Sequence, residues 1–589
     1  MANFIQDLIH TDTGEANPPG MQTIKITALV DVSGDGVVVT KFSKQDQDHL
    51  IPWMADSRMQ ASKGHFNIPD SAHFFVDTVG YVLGVGTDDE ETDKALKKKT
   101  AFITQLKIAA DAVPSAADFC AKLAAYLEDP EYNKELITAL IQKKVKLIDK
   151  ICFCIDGNQM EFFDSEDFQE WWLELYRTLQ KGSDGDQMIS VVSGDLVTPS
   201  LVHPVKIKLG KSANISAFKP PSFNHYGLSQ GLNAAMSEDE AACAADALNT
   251  ILADPQRTLR VKDLCLIINC DDIPTDDLME MFGAQDFKTD ANKYLTDYLM
   301  VLKQSRIKSR KGGLRGTFLA GILSANGTRV ELKHWERGPS PIFVDRVTKW
   351  NEALYLGFNP VDPTKREKLW SPPYLLALLY GGYNGFSTKL LEDLYQAILS
   401  DNRGIPISLA YKAQQKFVSY YHEEGKPHWA SVKMLKAFLT YGGSTMQEKI
   451  NGNSTAYLCG RLLWQLSQMY RQANKPFQSE GKVSERRSLV SQKLSLCVRN
   501  PAQAFTQLLR KNIEVHHERT KRASTPVRAA GYRINQKITE IVRQLPTELP
   551  SRFSVDEKAQ FMLGLYNEQG ADFEAMKAHR KNLNSEGGN

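Results

Sequence analysis

The sequence lacks any apolar run near the ~18–20 residues that a membrane-spanning helix needs. Its opening residues, Met1-Ala-Asn-Phe-Ile-Gln-Asp7, hold neither a basic region nor an apolar signal core. A cytoplasmic protein with no membrane partner is therefore expected. Cysteine is scarce: eight residues scattered over a chain of 589 do not staple a fold. Cys152 and Cys154 stand one residue apart in Ile151-Cys-Phe-Cys-Ile155, and no two further ligands for a structural metal follow. Alternation in a strand points both thiols to one face, so a buried strand is the plainer account of them. No internal repeat is visible, and no metal or other cofactor is expected.

Neither sign of charge is in excess, since 71 basic and 70 acidic residues leave +1. That balance conceals an asymmetry. Residues 1–300 hold 27 basic and 46 acidic side chains; residues 301–589 hold 44 and 24. Within the second half, 301–350 holds 11 basic against 3 acidic, and 446–589 holds 23 against 13. A basic half is what a polyanion-binding surface needs. Lysines and arginines that merely solvate helices would give the tail the same count. Length and a hydrophobic share of 42% suit several globular domains.

Periodicity places an α+β chain. A strand is predicted over 23–30, then a turn at Gly34-Asp-Gly36 and a second strand over 37–40. Residues 41–73 read as a polar loop. Helices are predicted over about 92–145, broken at Pro114 and Pro130, with strands at 148–155 and 188–192. Ser237 and Glu240 form a capping box before a helix carrying Ala241, Ala245, Leu248 and Leu252 on one face. A strand over 263–269 and a hairpin of 317–324 with 328–335, turning at Asn326-Gly327, complete the strand signals. After about 370 the pattern is helical only. Stripes recur at Leu458, Leu462, Leu466 and Met469, at Phe505, Leu508, Leu509 and Ile513, and at Ile534, Ile538, Ile541 and Val542. Asn500-Pro501 and Ser554 with Glu557 mark two helix starts. The expected architecture is a mixed α/β amino-terminal region with a sheet and inserted helices over 1–350, a helical connector over 351–445, and an all-α carboxy-terminal helical bundle over 446–589.

Several constellations suggest chemistry. Lys206-Ile-Lys-Leu-Gly-Lys-Ser212 ends like a phosphate-binding loop, but position 205 is Val where the first glycine belongs. Asp271-Asp272 and Asp276-Asp277 follow a strand, where carboxylates hold a divalent metal or cap a helix. His516-His517 has no third ligand, and Glu514 and Glu518 suit helix-surface pairs. Residues 203–233 interleave His203, Lys206, Lys208, Lys211, Lys219 and His225 with amides, hydroxyls and aromatics. Lysines meet phosphates, amides reach base edges and aromatics stack on unpaired bases. A structured loop with core aromatics would have the same composition.

The same stretch carries a family resemblance. Phe218, Phe223, Tyr226-Gly227, Gln230, Asn233-Ala234, Ser237-Glu238 and Ala247-Leu-Asn249, preceded by His203-Pro204 and Lys206-Ile-Lys208, resemble the central signature of the large subunit of type I-C CRISPR Cascade complexes. Further pieces follow the family order: Pro18-Pro-Gly20; Phe74, Asp77 and Tyr81-Val-Leu-Gly84; Phe153, Asp156 and Gly157; Leu323-Ser324, Asn326, Arg329 and Trp335; Tyr457-Leu458 and Gly460-Arg-Leu462. Lys219 and His73 stand where the family usually has Asn. The family's aromatic and basic ending is only partly kept in Leu563-Gly-Leu-Tyr-Asn-Glu-Gln569.

The resemblance implies a non-catalytic prokaryotic subunit that recognises the protospacer-adjacent motif (PAM) of target double-stranded DNA. Its implied partners are guide crRNA held in the complex, the repeat-handle-binding and backbone subunits, and a helicase-nuclease recruited after R-loop formation. A small subunit translated from its own carboxy-terminal region, starting at Met446, is a further implied partner. Position and chemistry single out Lys63, His65, Asn67 and His73 for the PAM. Lys211, Ser212, Asn214, Lys219, Asn224, Tyr226, Gln230 and Asn233 suit duplex contact. Arg486, Arg487, Lys493, Arg510 and Lys511 suit the displaced strand. A metal-dependent nuclease using the 271–277 carboxylates, or a purely structural nucleoprotein assembly subunit, are the alternatives.

Overall fold

Residues 23–30 do not run as one strand. In the computed structural model they break at Ile26 and Thr27 into β1 (Met21–Lys25) and β2 (Ala28–Ser33). The break is where the chain changes partners. The Ile26 amide donates to the Gln47 carbonyl at 2.7 Å, and the Thr27 amide to the Lys150 carbonyl at 2.8 Å. The structure describes residues 2–9, 20–33, 36–52, 72–180, 187–200, 205–209, 213, 228, 230–283, 299–304, 316–326, 329–357, 367, 370–400, 403–441, 452–475 and 488–586. They divide into two units, 1–254 with 325–331, and 255–324 with 332–589.

In the first unit β1 pairs antiparallel with β4 (Asp48–Pro52), a strand inside the stretch expected to be loop. β2 is central to a four-stranded sheet of order β3-β2-β6-β5, with β3 (Gly36–Lys41), β5 (Asp77–Thr78) and β6 (Lys150–Ile155). The β2–β6 pair is parallel, so the chain between them must cross over. That crossover contains the helices Asp89–Ala112, Ala117–Glu128 and Pro130–Gln142, which start and stop around Pro114 and Pro130 as expected. Phe102, Leu106, Phe119, Leu123 and Leu136 pack with Val30, Val32, Ile151 and Phe153. Cys152 and Cys154 are both buried in β6, and burial pushes the Cys152 thiol up to about 12. They behave as small apolar side chains.

An aromatic cluster closes this unit. Phe75 stacks edge-on against Phe162, Phe163 and Phe168 at centroid distances of 5.6, 5.2 and 5.6 Å. Such pairs contribute ~0.5–1.5 kcal/mol each beyond area burial. They hold Phe75 at φ +62°, a left-handed conformation that costs an L residue ~1–2 kcal/mol.

The second unit contains an antiparallel sheet of order β12-β11-β10-β9, from β9 (Thr258–Val261), β10 (Leu264–Cys270), β11 (Thr317–Asn326) and β12 (Arg329–Pro339). The expected hairpin is present and longer than the pattern suggested. The Trp335 ring lies over Gly321, where a Cβ would come within 2.6 Å of it. Every regular element described beyond Pro339 is a helix, beginning with Ser340–Leu354. The carbonyls that end this helix are taken by two lysines of the Trp429–Thr440 helix. Lys433 donates to Leu354 O at 2.9 Å and pairs with buried Glu367; Lys436 donates to Glu352 O at 3.0 Å and to Tyr355 O.

The final helices pack around Thr455–Asn474, whose Leu458, Leu462, Leu466 and Met469 are buried as expected. Gly460 meets the backbone of Phe561 and Leu565, and Gly564 meets the Tyr457 carbonyl, so two glycines let the Val555–Glu586 helix approach closely. A polar seam runs beside them. Arg461 donates to Glu568 at 2.6 Å, Gln465 to Glu568 at 2.8 Å, Trp464 to Asp572 at 2.7 Å and Lys537 to Asp572 at 2.6 Å. The Ile513 expectation fails. After the Pro501–Lys511 helix the chain takes a π-helical turn, Asn512–His517, which changes the phase of the stripe and leaves Ile513 66% exposed.

Candidate nucleic-acid interface

The described part of the 203–233 segment is built around alternation. Ile207 is buried, while Lys206 and Lys208 on either side are exposed. Ile207 and Ala213 exchange both backbone hydrogen bonds, at 2.7 and 3.0 Å. Ala213 thus continues an extended pair rather than opening a helix, unlike the residues after a phosphate-binding loop. Asn249, on the Glu238–Ala253 helix, grips the approach strand from the side. Its Oδ1 accepts from the Lys208 amide at 2.7 Å, and its Nδ2 donates to the Lys206 carbonyl at 2.9 Å. The backbone is fixed, and both lysines are exposed.

The Glu238–Ala253 helix is itself anchored. Ser237 and Glu240 form the expected capping box, at 3.1 and 2.7 Å. Glu240 also accepts from the Ser190 hydroxyl at 2.8 Å, binding the small hairpin of β7 (Met188–Ile189) and β8 (Leu196–Val197) to the helix start. Burial opposes the charge on Glu240, but the Ser193, Ser237 and Ser190 contacts outweigh it and hold the carboxyl below its ordinary range. Gln230 and Asn233 lie in a short 3-10 turn, Gln230–Ala234, and Asn233 is half-buried. Lys211, Ser212, Asn214, Lys219, Asn224 and Tyr226 lie outside the described residues, as do Lys63, His65 and Asn67.

His73 is only 7% exposed, and its amide donates to Asp77 Oδ2 at 3.0 Å. Asp77 Oδ1 accepts from the Thr78 amide at 2.7 Å, so this fully buried carboxylate shapes the bend that carries Phe74 into the aromatic cluster. Gly84 ends the next helix at φ +72°. Asp156 and Gly157 turn the chain after β6 at φ +50° and +85°.

The carboxylates after β10 are engaged. Asp271 accepts from the Thr317 amide at 2.6 Å and its hydroxyl at 3.1 Å, and Asp272 accepts from the Ser340 hydroxyl. Asp276 and Asp277 stand in the first turn of the Thr275–Phe282 helix, where the dipole favours anions. Among the described residues no three His, Cys, Asp or Glu side chains gather to hold a metal.

On the bundle, Lys493 is half-buried on the Leu489–Arg499 helix. Arg510 and Lys511 are exposed in the last turn of Pro501–Lys511, where cations complement the dipole. Arg510 lies 3.7 Å from Glu514. Arg486, Arg487 and Met446 lie outside the described residues.

A family model for CRISPR-associated protein (Cas_Csd1) matches residues 4–573. The chain belongs to the Cas_Csd1 family. No curated protein matches it. The Cas_Csd1 match takes in both units and every described site above. Among the described residues no helix is long and apolar enough to cross a membrane. Within this Cas_Csd1 chain, sequence reasoning placed Asn249 in a motif but gave it no role. The available signal was an asparagine deep inside a helix, where its side chain competes with the backbone and needs a reason to stay.

Proposed function

We propose that this chain is the non-catalytic large subunit of a type I-C, crRNA-guided Cascade complex. The observation that carries the reading is membership of a CRISPR-associated family over residues 4–573. In such recognition, base pairing reads the target and protein reads a short duplex motif. R-loop exchange is nearly balanced, so protein contacts to backbone and displaced strand tip it. The lysines held out by Asn249 suit the duplex backbone, and the basic bundle suits the displaced strand.

In this reading Lys63, His65 and Asn67 read the PAM; His73, assigned with them from the sequence, is buried and is left out of the direct contacts. The helicase-nuclease joins after the R-loop forms, and the repeat-handle-binding and backbone subunits hold the crRNA. A small subunit spanning 446–589 is translated from Met446. The hydrogen bonds that occupy Asp271 and Asp272 favour a recognition subunit over a metal-dependent nuclease.

The test is binding of the assembled complex to duplexes carrying a randomised PAM. Lys63→Ala with His65→Ala should flatten PAM discrimination while the complex still assembles. Full discrimination in that variant removes the PAM assignment. Replacing Met446 by Leu should abolish the short product, and persistence of a band of the same mass places its start elsewhere.

A further inference from the structure

Between the Pro130–Gln142 helix and β6 the chain reads Lys143-Lys-Val-Lys-Leu-Ile-Asp-Lys150. The helix ends in a doubly bonded cap. The Val145 amide donates to the Leu140 carbonyl at 3.0 Å, and the Lys144 amide to the Ile141 carbonyl at 2.9 Å. Leu140 and Val145 are both buried, as the hydrophobic contact of such a cap requires. Alternation then turns Leu147 toward the core and leaves Lys146 and Ile148 exposed. The turn is closely tied. Asp149 Oδ2 accepts from the Lys146 amide at 2.8 Å, and the Asp149 amide donates to the Lys146 carbonyl at 3.0 Å. The Leu147 and Asp149 carbonyls accept from the Gly80 and Val79 amides, each at 2.9 Å. Lys41, the last residue of β3, donates from Nζ to the Lys144 carbonyl at 3.1 Å.

Three features of this turn are costly for a loop that meets only water. Ile148 is 78% exposed, more than any other large apolar side chain among the described residues, and Ile141 is 67% exposed. Lys144 stands at φ +55°, in the left-handed cap position that favours glycine. Lys41, Lys143, Lys144 and Lys146 are all exposed, and none is in an ion pair among the described residues. Other lysines of the same acidic unit are paired: Lys107 with Glu128, Lys122 with Asp118 and Asp156, and Lys134 with Glu131. Branched aliphatics among charged groups match the apolar core and polar rim of a protein–protein contact. A nucleic acid would use the lysines, but neither isoleucine has a π-face for a base or a hydrogen-bonding group for a base edge.

We propose that the turn over residues 141–148 docks a protein subunit of the complex, through a partner surface that offers an apolar pocket rimmed by carboxylates. Ile141 and Ile148 enter the pocket, and Lys41, Lys143, Lys144 and Lys146 face the carboxylates. The proposal rests on the reading above only in naming the partner as a subunit of the complex. Docking also accounts for a lysine where glycine would suit the backbone better: its charge is used by the partner, and the hydrogen-bonded turn holds the strained position in place.

The experiment places the photo-cross-linker p-benzoylphenylalanine at position 148 of the full chain in the purified, assembled complex and identifies the adduct by mass spectrometry. One protein subunit should be joined to the chain, through a peptide that holds Asp or Glu beside apolar residues. Ile141→Ser with Ile148→Ser should then lower the affinity of the chain for that purified subunit about tenfold or more, as losing a buried anchor does. Lys144→Gly separates docking from folding. It should slow hydrogen exchange at the end of the Pro130–Gln142 helix, because the strain is relieved, and still weaken binding of the subunit. Slower exchange with unchanged affinity overturns the role of Lys144. An adduct to RNA or DNA overturns the proposal, as does the lack of any protein adduct or full affinity in the double isoleucine variant. If the chain brings down neither guide RNA nor other subunits, the Cascade reading fails on its own. The same cross-linker in the native cell then decides the surface: one protein adduct, weakened by Lys144→Gly, keeps it, and none removes it.

Discussion

Asn249 holds Lys208 by its main chain, not its charge: the amide oxygen accepts the Lys208 N–H at 2.7 Å while the amide nitrogen donates to the Lys206 carbonyl at 2.9 Å. One side chain thereby fixes the strand that carries two lysines, and all three residues belong to the motif that carries the family resemblance.

Asn249→Ala should therefore cost only about 1 kcal/mol of stability, because the two exposed backbone groups that lose a partner can turn to water. It should also weaken DNA binding by the assembled complex, with a flatter salt dependence. Asn249→Asp keeps the acceptor and loses the donor, so its effect should be intermediate. Salt-titrated binding of both variants checks this; equal affinity and slope in Asn249→Ala would leave the clamp with a structural role alone.

The paired glycines of the bundle give a second expectation. A methyl group at Gly460 or Gly564 meets backbone that cannot step aside as a side chain could. Either Gly→Ala change should destabilise the carboxy-terminal helices by ~1–3 kcal/mol or more, as overpacking does. Hydrogen exchange along the Thr455–Asn474 and Val555–Glu586 helices reads this locally, which a two-unit chain requires.

Lys433 is buried, and desolvation lowers its pKa although Glu367 pulls the other way. Lys433→Met leaves Glu367 buried without its cation and frees the Leu354 carbonyl, a change that costs ~3–5 kcal/mol. Adding Glu367→Gln should recover part of that loss. Urea unfolding of the single and double variants measures the coupling.

His428 supplies a pH dependence. Burial, with Lys416 nearby, pushes it down to about 4, and its Nδ1 lies 2.9 Å from the Ser431 hydroxyl. An unfolded histidine titrates near ~6.5. Between these values the unfolded chain binds the extra proton, so stability is full above ~6.5, falls as the pH drops, and is lost by about 4. The loss from this residue should be ~1–3 kcal/mol, allowing for its partial exposure. His334, His516 and His517 are also shifted down, by burial first, and act in the same direction. The difference between the chain and a His428→Asn variant over this range isolates one group.

Local signals were legible where they act locally. The Ser237–Glu240 and Ser554–Glu557 caps and the Asn500 cap form as the sequence suggests, because each needs only residues three positions apart. The Pro114 and Pro130 breaks follow from a missing donor. What escaped depended on distant partners. The division of 23–30 is set by Gln47 and Lys150, and β4 inside the polar stretch is set by pairing with β1. Ile513 turned outward because a π-helical turn, invisible to a 3.6-residue period, intervened. The site behaved likewise: Lys206 and Lys208 were legible by charge, whereas the role of Asn249 required knowing which helix lay beside them.

The most direct test of the account is a tagged pull-down from the native cell, with mass spectrometry of the proteins and sequencing of bound RNA. The account predicts repeat-derived guide RNA, backbone and repeat-handle-binding subunits, and a fragment beginning at Met446. Recovery of the chain alone, or of partners without guide RNA, would contradict it.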